Sequence, residues 1–316
     1  MFDTVSINEL RKLIPTISKQ DSKYPNRHIT PIIQSEAGCG KTSILNMLKE
    51  DLGEDKYDFI YIDCPVMDYS DVQMTIPNHE NESLKPYTGS VWKMDSPKPK
   101  VILGDGMLAH AGNRVCRIQM KKPSTDEWLD WANNNNINAY IKSFVKMNPK
   151  CLASYRDEGE EENPYIFNPK KSQLSFASPR SIAKLSVIVD NKHLFEDDTV
   201  RNAMAGTVGA SFAGDFQAIL SMESEIPDFL DILKNPEQED MPEGTQAQQI
   251  IMYQAVDRIK SHDDCSNFMK FVRRVPHKEI QAIFFSMILK NKKTVGIASR
   301  NKDITQWAKD NSFIYN

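Results

Sequence analysis

Ile29-Thr30-Pro31-Ile32-Ile33-Gln34-Ser35-Glu36-Ala37-Gly38-Cys39-Gly40-Lys41-Thr42-Ser43 is the stretch whose reading decides the first third of the chain. It reads as a short apolar strand, a tight loop of small residues, and a Lys-Thr pair opening a helix. The backbone N–H groups of such a loop, together with the helix N-terminus, attract phosphate. In the spacing G-x-x-x-x-G-K-[ST], the lysine reaches the β- and γ-phosphates of a nucleotide and the Ser/Thr hydroxyl ligates Mg²⁺. Here Ser35 stands at the first Gly position, while Gly40, Lys41 and Thr42 fit the pattern. With Gly near 7% of average usage, a chance G-x-G-K-T in a chain of this length has a probability of roughly one per cent. The candidate nucleotide-binding residues are Ser35, Glu36, Ala37, Gly38, Cys39, Gly40, Lys41, Thr42 and Ser43. Lys41 is the candidate catalytic group among them and Thr42 the candidate Mg²⁺ ligand. The implied cofactors are ATP or ADP with Mg²⁺.

Working outward, Pro31 cannot donate to a ladder, so the paired part of the strand is expected from Ile32. A helix from Thr42 to Leu52 places Ile44, Leu45 and Leu48 on one side and stops at Gly53. Phe59-Ile60-Tyr61-Ile62-Asp63 reads as a second strand. Strand, helix, strand over this length implies a βαβ unit and a parallel sheet with a right-handed crossover. Upstream, Ser6 and Glu9 have capping-box spacing, and Leu10, Leu13 and Ile14 share a face, predicting a short helix that ends at Pro15. Residues 64–100 are polar and proline-rich, with Val91–Met94 as a candidate hairpin arm. Val101–Leu103 reads as a third strand and Arg114–Met120 as the next.

The rest of the chain is mostly helical in pattern. Ser124 and Glu127 form a second capping box ahead of Trp128 and Trp131. The Asn133–Asn136 run breaks that helix before another over Ile137–Met147. Ser178-Pro179-Arg180 is a helix start with Pro at its first position. Helices are expected near 199–221, 245–260, 264–273, 278–290 and 303–311. The fold expectation is an α/β P-loop core with a parallel sheet over residues 1–122, followed by a mainly α-helical lid and C-terminal domain over 123–316.

The chain has 316 residues and a formal net charge of −4, which gives no overall pull toward nucleic acid or anionic membrane. No apolar run approaches a membrane span. The five cysteines are scattered, odd in number and without C-x-x-C spacing, arguing against a disulfide framework or zinc site. With no signal-peptide pattern at the N-terminus, a reducing, cytoplasmic setting is expected.

Several local elements resemble AAA+ ATPases of the MoxR-like branch, as found in phage-type members. Leu108-Ala109-His110-Ala111-Gly112-Asn113-Arg114-Val115 is similar to the segment before their last core strand, whose Arg acts as an arginine finger. Phe176-Ala177-Ser178-Pro179-Arg180-Ser181 is similar to their sensor-2 helix start, and Asp63-Cys64-Pro65 with Tyr69-Ser70-Asp71-Val72 to the region after their second strand. The resemblance covers about residues 25–190. It implies that Arg114 acts across a subunit interface on the γ-phosphate and Arg180 contacts nucleotide from the lid. It also implies a homo-oligomeric ring, a hexamer in the family, that remodels a protein client, in the host cytoplasm if phage-encoded.

One departure has physical consequences. In such cores the third strand ends in an Asp-Glu pair, and two helices and a fourth strand follow before the finger. Here fourteen residues separate Pro99 from Arg114. A single crossover needs about ten to twelve residues of connection, so the block cannot fit. The sequence reads as though it were missing between Ile102 and Gly104. Asp105 and Asp63 stand as alternative metal-site acids, Asp105 being followed by Gly106 and Asp63 by Cys64-Pro65, with no Glu to polarise water. Asp63 also reads as a strand-terminal turn cap. Binding without brisk turnover is the expectation.

Three functional readings stay open: a ring-forming remodelling ATPase, a non-catalytic nucleotide-binding assembly module, and a phage DNA-handling ATPase. The last rests on nine Lys/Arg between residues 265 and 303 against two acids, which also reads as a solvated helical face. Cys39 in the loop reads either as a reactive thiol or as a small filler. Trp128 and Trp131 read as core, and His110, His262 and His277 as structural or exposed.

Overall fold

Residues 4–18, 29–62, 73–78, 83–88, 93, 95–104 and 115–311 are described by the computed structural model of the chain. They fall into two compact units, Met1–Lys121 and Lys122–Asn316. Among the described residues no helix is long and apolar enough to cross a membrane.

In the first unit, helix α1 (Ile7–Ser18) opens on the expected capping box. Ser6 N donates to Glu9 Oε2 at 2.7 Å and Glu9 N to Ser6 Oγ at 3.2 Å. The helix does not end at Pro15 but runs three residues further. A proline in a helix interior costs about 3 kcal/mol. Burial of Leu10 and packing of Leu13, Ile14 and Ile17 against the same core offset that cost.

Strand β1 (Thr30–Gln34) pairs in parallel with β6 (Val115–Gln119), register Thr30↔Val115 to Gln34↔Gln119. Pairing therefore begins two residues earlier than expected, with Pro31 inside the strand. The Gln34 carbonyl accepts from Met120 N, so residues 30, 32 and 34 face β6 and Pro31 faces the other edge. No strand among the described residues pairs on that edge, and the missing N–H costs nothing there. Val5 extends the far side of β6 through Val5 N to Gln119 O and Lys121 N to Val5 O.

Helix α2 (Ser43–Leu52) follows β1 and ends where Gly53 N closes on Lys49 O. Strand β2 (Asp58–Ile62) then pairs in parallel with β5 (Lys100–Gly104), not with β1. The expected parallel sheet thus takes the form of two separate ribbons, β1–β6 and β2–β5. A third ribbon, the antiparallel hairpin of β3 (Gln73–Asn78) and β4 (Ser83–Thr88), lies in the stretch that shows little periodicity. Leu10, Ile44, Leu45, Leu48, Phe59 and Ile118 make the core of this unit. Arg11 on α1 bridges both carboxylate oxygens of Asp51 on α2 at 2.5 Å and draws that carboxyl below its usual range. So exposed a pair contributes less than about 1 kcal/mol.

The second unit is helical: α3 (Thr125–Asn133), α4 (Ala139–Met147), α5 (Pro179–Asp190), α6 (Asp197–Val208), α7 (Ala210–Leu220), α8 (Phe229–Lys234), α9 (Thr245–Arg258), α10 (His262–Arg274), α11 (Lys278–Lys290), α12 (Val295–Ala298) and α13 (Lys302–Asp310). Helix α9 packs against both α4 and α11. The single helix expected over 199–221 is two, broken at Gly209. That residue has φ 89°, and a Cβ there would lie 3.1 Å from Ser175 O, so backbone conformation and close approach both require glycine. Trp128 is buried as expected, whereas Trp131, three residues on, is 36% exposed.

The asparagine run ties two helix ends together. Asn133 Nδ2 donates to Met287 O at 2.8 Å and Asn291 Nδ2 to Asn133 O at 2.7 Å. Lys292 N donates to Asn134 Oδ1 and Lys293 Nζ to Asn136 Oδ1, both at 2.8 Å. The second bond satisfies a carbonyl that the end of α3 leaves without a helical partner, and the first adds a donor to Met287 O, which also accepts from Asn291 N. Asn136 itself takes φ 54°, a conformation asparagine tolerates better than most residues.

Candidate functional site

Between β1 and α2 the backbone turns through Ala37–Thr42. Gly38 and Gly40 have φ 74° and 89°, left-handed values that a side chain would resist. Ser43 N donates to Gly40 O, Ile44 N to Lys41 O and Leu45 N to Thr42 O at 2.9–3.2 Å, winding the loop tightly into the helix. Thr42 is the N-cap residue, yet its hydroxyl makes no capping bond. Ser35 is not among the positive-φ residues, so the loop does not require glycine at that position.

Lys41 folds back over its own loop. Its Nζ donates to Ser35 O at 3.3 Å, Ser35 Oγ at 3.2 Å and Glu36 O at 3.3 Å, while Ser35 Oγ donates to Glu36 O at 3.0 Å. The sequence places Lys41 in the loop, but its contact with the Ser35 hydroxyl is visible only in three dimensions. Cys39 is 4% exposed and packs with Ile44 and Leu45, its Sγ lying 3.8 Å from Ala37 O. The thiol fills the loop from below, and burial argues against its reading as an accessible reactive group.

The residues present are of the kind a phosphate takes: a helix start with its positive dipole end, the Lys41 ammonium and the Thr42 hydroxyl, which makes no capping bond. Thr42 is the residue that would hold Mg²⁺ beside it. Among the described residues no cluster of three or more His, Cys, Asp or Glu could hold a metal. Asp63, Asp105, Arg114 and His110 lie outside the described residues, as does most of Val91–Met94.

Arg180 is the second residue of α5 and is exposed. Ser178 caps that helix, its Oγ accepting from Ser181 N at 3.1 Å and its N donating to Ser181 Oγ at 2.8 Å. Of the basic stretch, Arg273 pairs with Asp303 and Lys290 with Asp130, each at 2.9 Å. Arg274 donates to Pro236 O, Lys278 to Gln281 and Lys293 to Asn136. Lys270, Lys292, Arg300 and Lys302 are left on the exposed surface, as a solvated helical face requires. His262 and His277 are exposed.

Sequence reasoning passed over a buried ion pair in the helical unit. Lys142 on α4 is 0% exposed, and its Nζ lies 2.7 Å from Asp257 Oδ2 on α9. Burial pulls the ammonium below the ordinary lysine range, and Asp257 opposes the fall. Elsewhere in this unit, a depression of about 370 Å³ is lined by Asn138, Tyr140, Asp190, His193 and Glu223, among others. Lys192 closes on Glu223 there and Asn138 donates to Asp190, so these polar groups satisfy one another. No protein-family model matches the chain, and no curated protein matches it.

Proposed function

We propose that residues 35–43 bind the phosphates of ATP or ADP with Mg²⁺, within a P-loop core whose turnover is slow or absent. The observation that carries this is the pair of left-handed glycines leading into the start of α2, with Lys41 Nζ lying over the same loop. The chain's own groups then divide the work. Backbone N–H groups orient the phosphates, the Lys41 ammonium neutralises charge on them, and Thr42 offers a hydroxyl to Mg²⁺. Hydrolysis also requires a group that positions the attacking water, and neither Asp63 nor Asp105 is followed by a Glu that could do so.

The wider proposal is a MoxR-like AAA+ protein. In it Arg114 serves as a finger from a neighbouring subunit and Arg180 as a lid contact, in a homo-oligomeric ring acting on a protein client. Asp63 and Asp105 remain candidate metal-site acids within that reading. A non-catalytic assembly module is the second reading, and one observation favours it. Fourteen residues separate Pro99 from Arg114, too few for the acid-bearing and sensor block of such cores. The DNA-handling reading has less support, since five of the nine basic side chains are engaged within the chain.

Calorimetric titration with ATP and Mg²⁺ tests the proposal. Wild type is expected to bind, and Lys41→Ala to bind about ten- to a hundredfold more weakly, the loss of charge-assisted bonds to phosphate. Turnover in the purified chain is expected at background. Equal affinity in the two proteins sinks the binding reading, and a brisk Lys41-dependent rate sinks the slow-turnover part. Sizing with and without ATP separates ring from module.

A further inference from the structure

We infer that one face of the helical unit binds a second copy of this chain, the acidic half of each copy lying on the basic half of the other. The inference does not rest on the nucleotide reading. Val187, on the solvent side of α5, and Leu194 and Phe195, in the turn after it, are each more than half exposed. Hydrogen bonds from Asn191 Nδ2 to Val187 O at 2.8 Å and from Leu194 N to Asn191 O at 3.0 Å keep that turn on the end of the helix. Single exposed apolar residues are ordinary, but three within nine residues form a patch. Its surroundings are acidic. Asp190, Glu196, Asp197 and Asp198 are exposed, and Lys192, the one lysine or arginine between residues 187 and 198, is taken up by Glu223.

A second exposed apolar pair, Leu289 and Val295, flanks Lys290, Lys292 and Lys293, with no acid between residues 289 and 295. The two areas adjoin. Lys293 Nζ bonds to Asn136 Oδ1 at 2.8 Å, and Asn138, two residues on, donates to Asp190 Oδ1 at 2.6 Å. A half-turn about an axis through residues 136–138 lays each half of one copy on the opposite half of the next. Both contacts then form together, as an isologous interface requires. The charge pattern selects this occupant. Nucleic acid is attracted by the lysines and repelled by the neighbouring acids, and a basic peptide meets the reverse; a second copy satisfies both halves. Five apolar side chains cover less than the roughly 800 Å² per partner of a tight complex. The pairing is therefore weak, in about the micromolar range, and sensitive to salt.

Analytical ultracentrifugation of the full chain without nucleotide, from about one to about one hundred micromolar, reads the equilibrium. Wild type is expected to dimerise at about 0.05 M salt and to lose most of the dimer at about 0.5 M. Glu196→Lys and Lys292→Glu each reverse one charge in one half. Neither side chain has a bonding partner among the described residues, so both variants should fold, which circular dichroism checks. Each alone is expected to weaken dimerisation about tenfold or more, since the two-fold axis repeats the substitution. An equimolar mixture of the two is expected to dimerise near wild-type strength, because each altered half then meets its opposite. Phe195→Ser, at an exposed apolar position of the acidic half, is expected to weaken the dimer without any change of charge. A monomer at every concentration overturns the inference, whatever nucleic acid or basic peptide the face then binds. Species that grow past the dimer overturn the two-fold arrangement. Dimerisation unchanged in all three variants places the contact on another surface and overturns the inference, and a mixture that stays monomeric denies that these two halves meet.

Discussion

Asp257→Ala is expected to destabilise the helical unit by about 3 kcal/mol, whereas Lys142→Met changes its stability by less than about 1 kcal/mol. The asymmetry follows from where the two charges sit. The Lys142 side chain is 0% exposed and the Asp257 side chain 32% exposed. Removing the aspartate strands an ammonium among apolar side chains, with the Tyr253 ring 5.6 Å from Nζ as compensation. Removing the lysine leaves a carboxylate that can turn to water, and methionine fills the vacated volume. The figure for Asp257→Ala sits at the lower end of the usual range for breaking a buried pair, because the carboxylate is partly solvated to begin with.

pH provides a second reading of the same pair. The folded protein holds Lys142 below its ordinary range, so between that lowered value and the unfolded one the unfolded chain carries the extra proton. Stability therefore rises with pH through that window. Without Asp257 the lysine falls further and the window extends downward. The deficit of Asp257→Ala is thus largest near neutrality and shrinks as pH rises toward the ordinary lysine range. Urea titrations at neutral and alkaline pH check this; a deficit that grows with pH contradicts the assignment.

Phe212→Ala is expected to cost about 3–5 kcal/mol, lowering the melting temperature of the helical unit by roughly 10 °C. Phe212 is fully buried on α7 and meets Phe144 at 4.6 Å, Tyr165 at 5.9 Å and Phe216 at 6.2 Å between ring centroids. Truncation deletes the hub of these edge-on and tilted contacts as well as the buried area. The surrounding rings are anchored on α4 and α7, and Tyr165 is held by its hydroxyl to Asp215, so the cavity cannot collapse freely. Phe212→Leu, which keeps most of the volume, should recover more than half of the loss. Differential scanning calorimetry of the two variants measures it; equal melting temperatures for Phe212→Ala and wild type contradict a packed cluster.

How much was legible beforehand depended on the range of the forces involved. The capping boxes at Ser6–Glu9 and Ser124–Glu127 formed as spaced, because both partners lie within one turn. The loop at 35–43 was legible for the same reason, since glycine positions and a following helix are local properties. The hairpin at 73–88 is not legible in the sequence because its strands lack clean alternation and carry Pro77 and Pro86. Helix α1 outran Pro15 because core packing offset a local penalty.

By itself, the sequence determined the local parts: where helices start and where glycine permits a tight turn into a helix. Those follow from backbone sterics and hydrogen bonds spanning a few residues. Only the tertiary structure decided that β1 pairs with β6 and β2 with β5, that Lys142 is buried against Asp257, and that Ser35 holds Lys41. The strand partners and the ion pair join residues 42 to 115 positions apart. Such contacts depend on which surfaces the whole core brings together, and no local propensity encodes that. The Ser35–Lys41 contact spans six residues, but it depends on how the loop closes over the start of α2.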